Sequence, residues 1–137
     1  MASKLNPYIN FNGNAKIAME FYKAAFGGEL KMSTFKEAGM NPDEAQGDQI
    51  MHASLVAENG MVLMASDTPS HFEYKPGKNI SISLSGNDES ELKGYWEKLS
   101  EGGNIMQPLA PAPWGDQFGM LTDKFGIQWL VNISPQK

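Results

Sequence analysis

The sequence predicts an α+β fold made of two tandem β-α-β-β-β modules. Their eight strands are expected to form a mixed sheet around a central cleft, with one helix outside each module. Three repeated features predict this fold: a strand-like segment that runs into Gly-Asn, a helix-period pattern after it, and a double glycine that ends the pattern. A chain of 137 residues suits one such domain, 1–137.

The helices are predicted by apolar residues at i, i+3, i+4 and i+7, a spacing that puts four side chains on one face. The two sets, 74 positions apart, are Ala18, Phe21, Tyr22 and Ala25, and then Leu92, Tyr95, Trp96 and Leu99. Asp88 with Glu91 predicts a capping-box start for the second helix. Gly27-Gly28 and Gly102-Gly103 are expected to end the helices, because glycine adopts a left-handed C-cap at little cost.

The strands are predicted from short alternating segments between turn residues. They span residues 7–12, 30–35, 50–57 and 61–66 in the first module, and 80–85, 104–106, 118–122 and 127–133 in the second. Asn59-Gly60 predicts a two-residue hairpin turn. Residues 68–78, rich in proline and glycine, are expected to link module one (6–67) to module two (79–134), and residues 37–49 to form an acidic loop.

Composition and charge exclude several classes of partner. The net charge is −5, and the 11 cationic side chains are scattered lysines, so a nucleic-acid partner is not expected. The chain has no cysteine, which excludes disulfides and thiolate chemistry. Residues 1–8 lack the pattern of a secretion signal, and no apolar stretch approaches membrane-spanning length. We therefore expect a cytoplasmic protein with no membrane partner.

Short motifs along nearly the whole chain carry a family resemblance. They are Asn12-Gly13-Asn14, Glu20-Phe21-Tyr22, Phe26-Gly27-Gly28, His52-Ala53-Ser54-Leu55, Met64-Ala65-Ser66-Asp67, Trp114-Gly115-Asp116-Gln117-Phe118-Gly119, Asp123-Lys124-Phe125-Gly126, and Trp129 followed by Asn132. Together they resemble the vicinal oxygen chelate superfamily (glyoxalase, bleomycin resistance protein and dioxygenase), and within it the PhnB-like branch labelled 3-demethylubiquinone methyltransferase-like. The resemblance implies the paired-module fold and, commonly, a homodimer.

The resemblance also raises the question of a metal. Enzymes of this superfamily hold a divalent ion with His or Glu/Gln from the first and last strands of each module. Here the first strands, 6–12 and 79–84, contain neither histidine nor carboxylate, and Met64 and Leu130 stand where ligands would be expected. A divalent ion needs converging imidazole, carboxylate or thiolate donors. We therefore expect no metal and no cofactor.

A histidine and an aspartate are the candidate catalytic residues. If Asn59-Gly60 is a two-residue turn, His52 lies opposite Asp67 across the hairpin. A histidine oriented by a carboxylate is a possible general base. The alternative is a polar pair that fixes the register of the hairpin or a dimer edge. The second histidine, His71, is expected at the surface.

A proline-rich segment supplies the candidate ligand-binding residues. Three prolines within residues 108–118 are expected to stiffen a loop that presents Trp114, Asp116 and Phe118. An aromatic side chain beside a carboxylate suits a cationic or ring-bearing ligand. The alternative is that the tryptophan fills the end of the sheet and the aspartate caps a turn. Further residues assigned to the ligand-facing set are Tyr8, Asn10, Met64 and Trp129.

The favoured hypothesis is a metal-free small-molecule-binding protein with its ligand bound in the cleft. The sequence does not identify that ligand. One alternative is a metal-dependent lyase or dioxygenase of the same superfamily, and another is a metal-free enzyme that uses His52 as a base. A methyltransferase, as the branch label suggests, would need a glycine-rich turn between a parallel strand and a helix. The glycine pairs of this chain end helices instead.

Overall fold

The computed structural model describes residues 3–37, 39, 47–69 and 72–135. The chain divides into two compact units, Met1–Pro76 and Gly77–Lys137, and each is described by itself. The boundary between them falls inside the segment 68–78 that the sequence predicts as a linker. Most of the predicted acidic loop, residues 38 and 40–46, lies outside the described residues, and so does His71.

The first unit contains four strands and one helix. In chain order these are β1 (Tyr8–Phe11), α1 (Ala15–Phe26), β2 (Glu29–Thr34), β3 (Ile50–Val56) and β4 (Val62–Asp67). The sheet has the order β1-β4-β3-β2. β1 runs parallel to β4, and the other two pairs are antiparallel.

The second unit repeats this arrangement. Its elements are β5 (Ile82–Gly86), α2 (Glu89–Ser100), β6 (Asn104–Pro111), β7 (Gln117–Thr122) and β8 (Gln128–Ile133). The order is β5-β8-β7-β6, with β5 parallel to β8 and the remaining pairs antiparallel. The α+β class and the two β-α-β-β-β modules with one helix each are confirmed. The eight strands form two four-stranded mixed sheets.

The helices form where the apolar period predicts them. α1 and α2 have 12 residues each, and the predicted apolar faces are the buried ones, except that Phe21 is only half-buried. The predicted cap of α2 is confirmed, because the Glu91 N–H donates to Oδ1 of Asp88 at 3.1 Å. Neither helix in the described part of the chain is long and apolar enough to cross a membrane.

A double glycine follows each helix, but the predicted left-handed C-cap is wrong. Gly27, the C-cap of α1, combines a φ of 72° with a ψ of −166°, whereas the C-cap of α2 is Glu101 in extended backbone, and Gly102 comes next. The two glycines of each pair are needed for separate reasons. The first member of each pair, Gly27 or Gly102, has a φ of 72°, which L side chains rarely adopt. The second member lets the chain pass close to a neighbouring strand. A Cβ atom on Gly28 would overlap with the carbonyl oxygen of Val56, and one on Gly103 with that of Thr122. The same steric requirement therefore occurs at equivalent positions of the two units.

Strand β6 is longer than the sequence predicts. The sequence indicates a strand only over residues 104–106, whereas β6 continues to Pro111. Its prolines are tolerated because β6 is an edge strand, where a missing N–H need not break a ladder. The register also shifts twice along its pairing with β7. The loop between β6 and β7 is therefore short and spans residues 112–116.

Each sheet has one face covered by its own helix. α1 packs on β2, β3 and β4, and α2 packs on β5 and β8. The buried strand residues on these faces include Phe11, Ala53, Leu55, Leu63, Ala65, Leu84, Leu121, Trp129, Val131 and Ile133. Because side chains alternate along a strand, the residues between them lie on the opposite side. We call that side the helix-distal face of the unit, and the candidate site residues are described relative to it.

Candidate functional site

The β3–β4 hairpin has a three-residue loop. The Ala57 N–H donates to the Met61 carbonyl at 2.8 Å, and the Gly60 N–H donates to the Ala57 carbonyl at 2.9 Å. Gly60 has a φ of 91°, while no non-glycine residue has a positive φ among those described. This is a type I turn followed by a left-handed glycine. The predicted two-residue turn at Asn59-Gly60 is therefore wrong.

The extra loop residue separates the two candidate catalytic residues. The observed register pairs Ala53 with Ala65, one position away from the register that a two-residue turn would give. A slip of one residue moves a side chain to the other face of the sheet. His52 therefore lies on the helix-distal face, where it is paired with Ser33 of β2. Asp67 lies on the helix side, and the predicted contact between His52 and Asp67 is wrong.

Asp67 connects backbone segments of the first unit. Its side chain is buried, and its Oδ1 accepts hydrogen bonds from the Gly13 N–H at 2.8 Å and the Ala15 N–H at 3.0 Å. Its Oδ2 accepts from the Ile50 N–H at 2.8 Å. The N-cap residue Asn14 makes no side-chain capping bond, so Asp67 caps α1 from a different strand. The carboxylate joins β4, the start of α1 and the start of β3.

The helix-distal face of the first unit carries the three ligand-binding residues predicted there. Tyr8 is paired with Met64 and Asn10 with Ser66 along the parallel β1–β4 ladder. The Tyr8 hydroxyl lies 3.5 Å from Nδ1 of His52, with the ring centroids 5.9 Å apart. The Ser66 hydroxyl donates to Oδ1 of Asn10 at 3.5 Å. The structure therefore places His52 beside the tyrosine instead of beside the aspartate.

The β6–β7 hairpin positions the second group of predicted residues. The Gly115 N–H donates to the Ala112 carbonyl at 3.0 Å, and the Ala112 N–H donates to the Asp116 carbonyl at 2.7 Å. Gly115 has a φ of 100°. This loop repeats the geometry of the β3–β4 turn. It places Trp114 next to the left-handed glycine and Asp116 at the base of the loop.

Four side chains come together around this loop, and we call them the Trp114 cluster: Trp114, Asp116, Phe118 and Asn132. Nε1 of Trp114 donates to Oδ1 of Asn132 at 3.3 Å, and Nδ2 of Asn132 donates to Oδ2 of Asp116 at 2.9 Å. The rings of Trp114 and Phe118 meet edge to face, with centroids 5.4 Å apart. The indole can only donate and the carboxylate can only accept, so the orientation of the amide is fixed.

Asn132 is the member of the cluster that sequence reasoning missed as a site residue. It is paired with Phe118 across the β7–β8 ladder, so the register brings together residues that are distant in the chain. The only signal for it in the sequence was its place in the motif with Trp129. Gly119 faces Trp96 of α2, which confirms that its neighbour Phe118 points to the helix-distal face.

The Trp114 cluster combines an exposed ring with the half-buried carboxylate of Asp116. Trp114 is 60% exposed. The ion pairs among the described residues are Lys31–Glu29, Lys75–Glu73 and Lys93–Glu89, and none of them includes Asp116. An exposed indole face beside a carboxylate without a cationic partner in the described chain can attract a cation by both cation–π and charge interactions.

A cavity of about 430 Å³ adjoins the same loop near the start of α2, where Asp88, Glu89 and Gln117 line it. Lys93 donates a hydrogen bond to Oε2 of Glu89 at 2.8 Å, and this contact lowers the pKa of the Glu89 carboxyl. Gln117 donates to its other oxygen at 3.2 Å. The carboxylate of Glu89 is therefore already occupied by partners from the chain.

Trp129 requires a correction, because the sequence assigned it to the ligand-facing set. It is 1% exposed and lies on the helix side of its sheet with Val131. Its Nε1 donates to Oδ2 of Asp123 at 2.8 Å, and Asp123 is itself buried. Alternation places Leu130 on the helix-distal face in its stead. Trp129 is a core residue.

The side chains at the metal positions of the superfamily do not fit a divalent ion. Within the described ranges, no three histidine or carboxylate side chains converge as a metal site would require. The register pairs Tyr8 with Met64 and Ser83 with Leu130 at the strand positions concerned. Phenol, thioether, hydroxyl and alkyl groups are not the donor set that such an ion prefers.

Comparison with known proteins identifies close relatives. A model of the family described as 3-demethylubiquinone-9 3-methyltransferase matches residues 3–132. The crystal structure of protein PA1353 from Pseudomonas aeruginosa is 38% identical, covers 98% of this chain and 100% of its own, and has a TM-score of 0.88. The PhnB protein from Bacillus cereus is 25% identical, with 96% and 100% covered and a TM-score of 0.75.

A more distant structure shares the fold alone. A glyoxylase/bleomycin resistance protein/dioxygenase domain from Frankia sp. EAN1pec is 16% identical, and 98% of each chain is covered with a TM-score of 0.66.

Proposed function

This chain belongs to the 3-demethylubiquinone-9 3-methyltransferase family, and from that premise we propose that it binds a small molecule without a metal ion. The resemblance to the PhnB-like branch is confirmed, and the fold is shared with a glyoxylase/bleomycin resistance protein/dioxygenase domain. The ligand that we propose contains an aromatic ring and a positive charge. Its binding site is the Trp114 cluster on the helix-distal face of the second unit.

The observation that carries this proposal is an exposed indole held in a fixed orientation beside a carboxylate. The indole N–H is bound to Asn132, and the rings of Trp114 and Phe118 meet edge to face. A ligand that stacks on the ring therefore meets a side chain that is already ordered, which lowers the entropic cost of binding. A cation over an indole contributes about 0.5–1 kcal/mol when exposed and about 2 kcal/mol when desolvated.

The charge of Asp116 adds a second attraction. Its Oδ2 accepts from Asn132, while no described residue forms an ion pair with it. A cation about 4 Å from a carboxylate gains about 1 kcal/mol in water and about 4 kcal/mol near a protein surface. The ring and charge terms together amount to about 3 kcal/mol, or about a hundredfold preference over a neutral molecule of the same shape. The net charge of −5 favours a cation at longer range.

The three other activities raised by the sequence have weaker support. A nucleotide-type methyl donor would need a glycine-rich turn in a parallel sheet, whereas each sheet here has only one parallel pair and the β1–α1 connection has the single glycine Gly13. A metal-dependent lyase or dioxygenase lacks a fitting donor set among the described residues. A metal-free enzyme with His52 as its base was suggested by a contact with Asp67, and the observed register does not make that contact.

The test is a calorimetric titration after dialysis against EDTA. The probe is N-methylquinolinium, and the matched neutral probe is quinoline at a pH above its pKa. We expect the cation to bind at least tenfold more tightly, and Asp116→Asn and Trp114→Phe each to weaken its binding about tenfold or more. Glu97→Gln, the same charge change on the exposed side of α2, is the control. Equal affinity for the two probes would refute the proposal.

We further propose a cytoplasmic homodimer. The edge strand β6 supports an association of chains, because it exposes Ile105 and Met106 at a free ladder edge of its sheet. Light scattering during size-exclusion chromatography should give twice the mass of one chain. A monomer at micromolar concentration would contradict this part of the proposal.

A further inference from the structure

A groove in the first unit lies far in sequence from the Trp114 cluster. It has a volume of about 450 Å³ and lies between the helix-distal side of β1 and the segment that follows β4. Its lining includes Asn10, Phe72, Glu73, Tyr74 and Lys75. We propose that this groove is a second binding site, which takes a neutral, flat nitrogen heterocycle with a hydrogen-bond donor and an acceptor on the same edge.

Two aromatic side chains form the walls of the groove. Phe72 is 63% exposed and Tyr74 is 39% exposed, so both offer ring surface to a ligand. Pro69 and Pro76 also line the groove, and the Phe72 N–H donates to the Pro69 carbonyl at 3.0 Å. Prolines restrict the backbone on either side of the aromatic pair. Flat rings stack on such side chains whatever their ring type, so the walls select for shape.

Asn10 supplies the polar recognition. Its Oδ1 accepts from the Ser66 hydroxyl at 3.5 Å, which is a long contact. Its amide hydrogens have no partner among the described residues, and its oxygen keeps a second lone pair. An asparagine amide in this state forms two parallel hydrogen bonds with a heterocycle edge that carries one donor and one acceptor. Asn10 therefore defines the hydrogen-bonding edge of the ligand.

The charges in the groove predict a neutral ligand. Nζ of Lys75 lies 3.5 Å from Oε1 of Glu73, and both side chains are exposed. Their opposite charges therefore largely cancel in the groove. The contrast with the Trp114 cluster is direct, because the carboxylate there has no cation beside it in the described chain. The volume of the groove lies within the usual range for small-molecule sites, and two or three fused rings would fit it.

The test uses lumichrome, a neutral fluorescent tricycle with a donor and an acceptor on one edge, and phenazine, a tricycle with acceptors alone. We expect lumichrome anisotropy to saturate and phenazine to compete at least tenfold more weakly. Asn10→Leu should weaken lumichrome binding about tenfold, because it removes both hydrogen bonds. Tyr74→Ala should weaken it by a similar factor, whereas the matched variant Tyr74→Phe, which keeps the ring, should bind like the original chain.

Several outcomes would overturn this inference: no saturable lumichrome binding, equal binding of phenazine, or unchanged binding by Asn10→Leu. If Asn10→Leu does not fold, as judged by circular dichroism, the Tyr74→Ala and Tyr74→Phe pair decides the question. The result is separate from the proposed function, because Asp116→Asn should leave lumichrome binding unchanged. Displacement of lumichrome by N-methylquinolinium would show a single site and would refute a second one.

Discussion

Replacement of Asp67 by asparagine tests how the first unit is held together. The asparagine oxygen can still accept from the Gly13 and Ala15 N–H groups, but its amide N–H₂ would then face the Ile50 N–H. One hydrogen bond to a charged acceptor is lost, at about 1.5–3 kcal/mol, and the other two weaken because their acceptor becomes neutral. Removal of a buried charge offsets part of this loss. We expect a net destabilisation of about 3 kcal/mol.

The measurement is urea denaturation followed by circular dichroism, together with a thermal melt. For a domain of this size, about 3 kcal/mol corresponds to a melting temperature lowered by about 6–12 °C. The matched control is Asp88→Asn at the start of α2, where the aspartate is exposed and accepts from one N–H. Asparagine caps a helix as well as aspartate does, so the control should change stability by less than about 0.5 kcal/mol. Equal losses in the two variants would refute the reasoning.

Three further variants test other parts of the structure. Gly119→Ala would place a methyl group against the ring of Trp96, and we expect a loss of about 1–3 kcal/mol in the same denaturation assay; unchanged stability would contradict the observed packing. Asn132→Leu removes both hydrogen bonds that order the Trp114 cluster, so N-methylquinolinium should bind about tenfold more weakly while the melting temperature changes little. Lys93→Met should raise the pKa of Glu89 toward its ordinary value, as an NMR titration of the carboxyl would show; an unchanged pKa would exclude Lys93 as the cause of the shift.

The duplicated fold could be predicted because its signals are local and occur twice. Four apolar residues at i, i+3, i+4 and i+7 define the buried face of each helix. Gly27 and Gly102, which follow the two patterns, have the same φ of 72°. The start of α2 was equally local, since Asp88 and Glu91 are three residues apart. The end of β6 was not predicted, because prolines indicate a loop unless the strand is known to lie at a sheet edge.

The candidate site was predicted only in part, because strand register is not encoded locally. Asn59-Gly60 is compatible with a two-residue turn and with the last two positions of a three-residue turn, and this difference alone moved His52 away from Asp67. Likewise, alternation on β8 shows that Trp129 and Leu130 face opposite sides but not which side each faces. Burial of the larger ring with Asp123 decides that question in the folded chain.

Calorimetric titration of EDTA-treated protein with N-methylquinolinium tests the proposed function most directly. We expect one site per chain that needs no added metal, and an affinity at least tenfold above that for quinoline. Binding heat that appears only after zinc, nickel or manganese is supplied would contradict it, because the ligand would then depend on an ion that these side chains are not expected to hold.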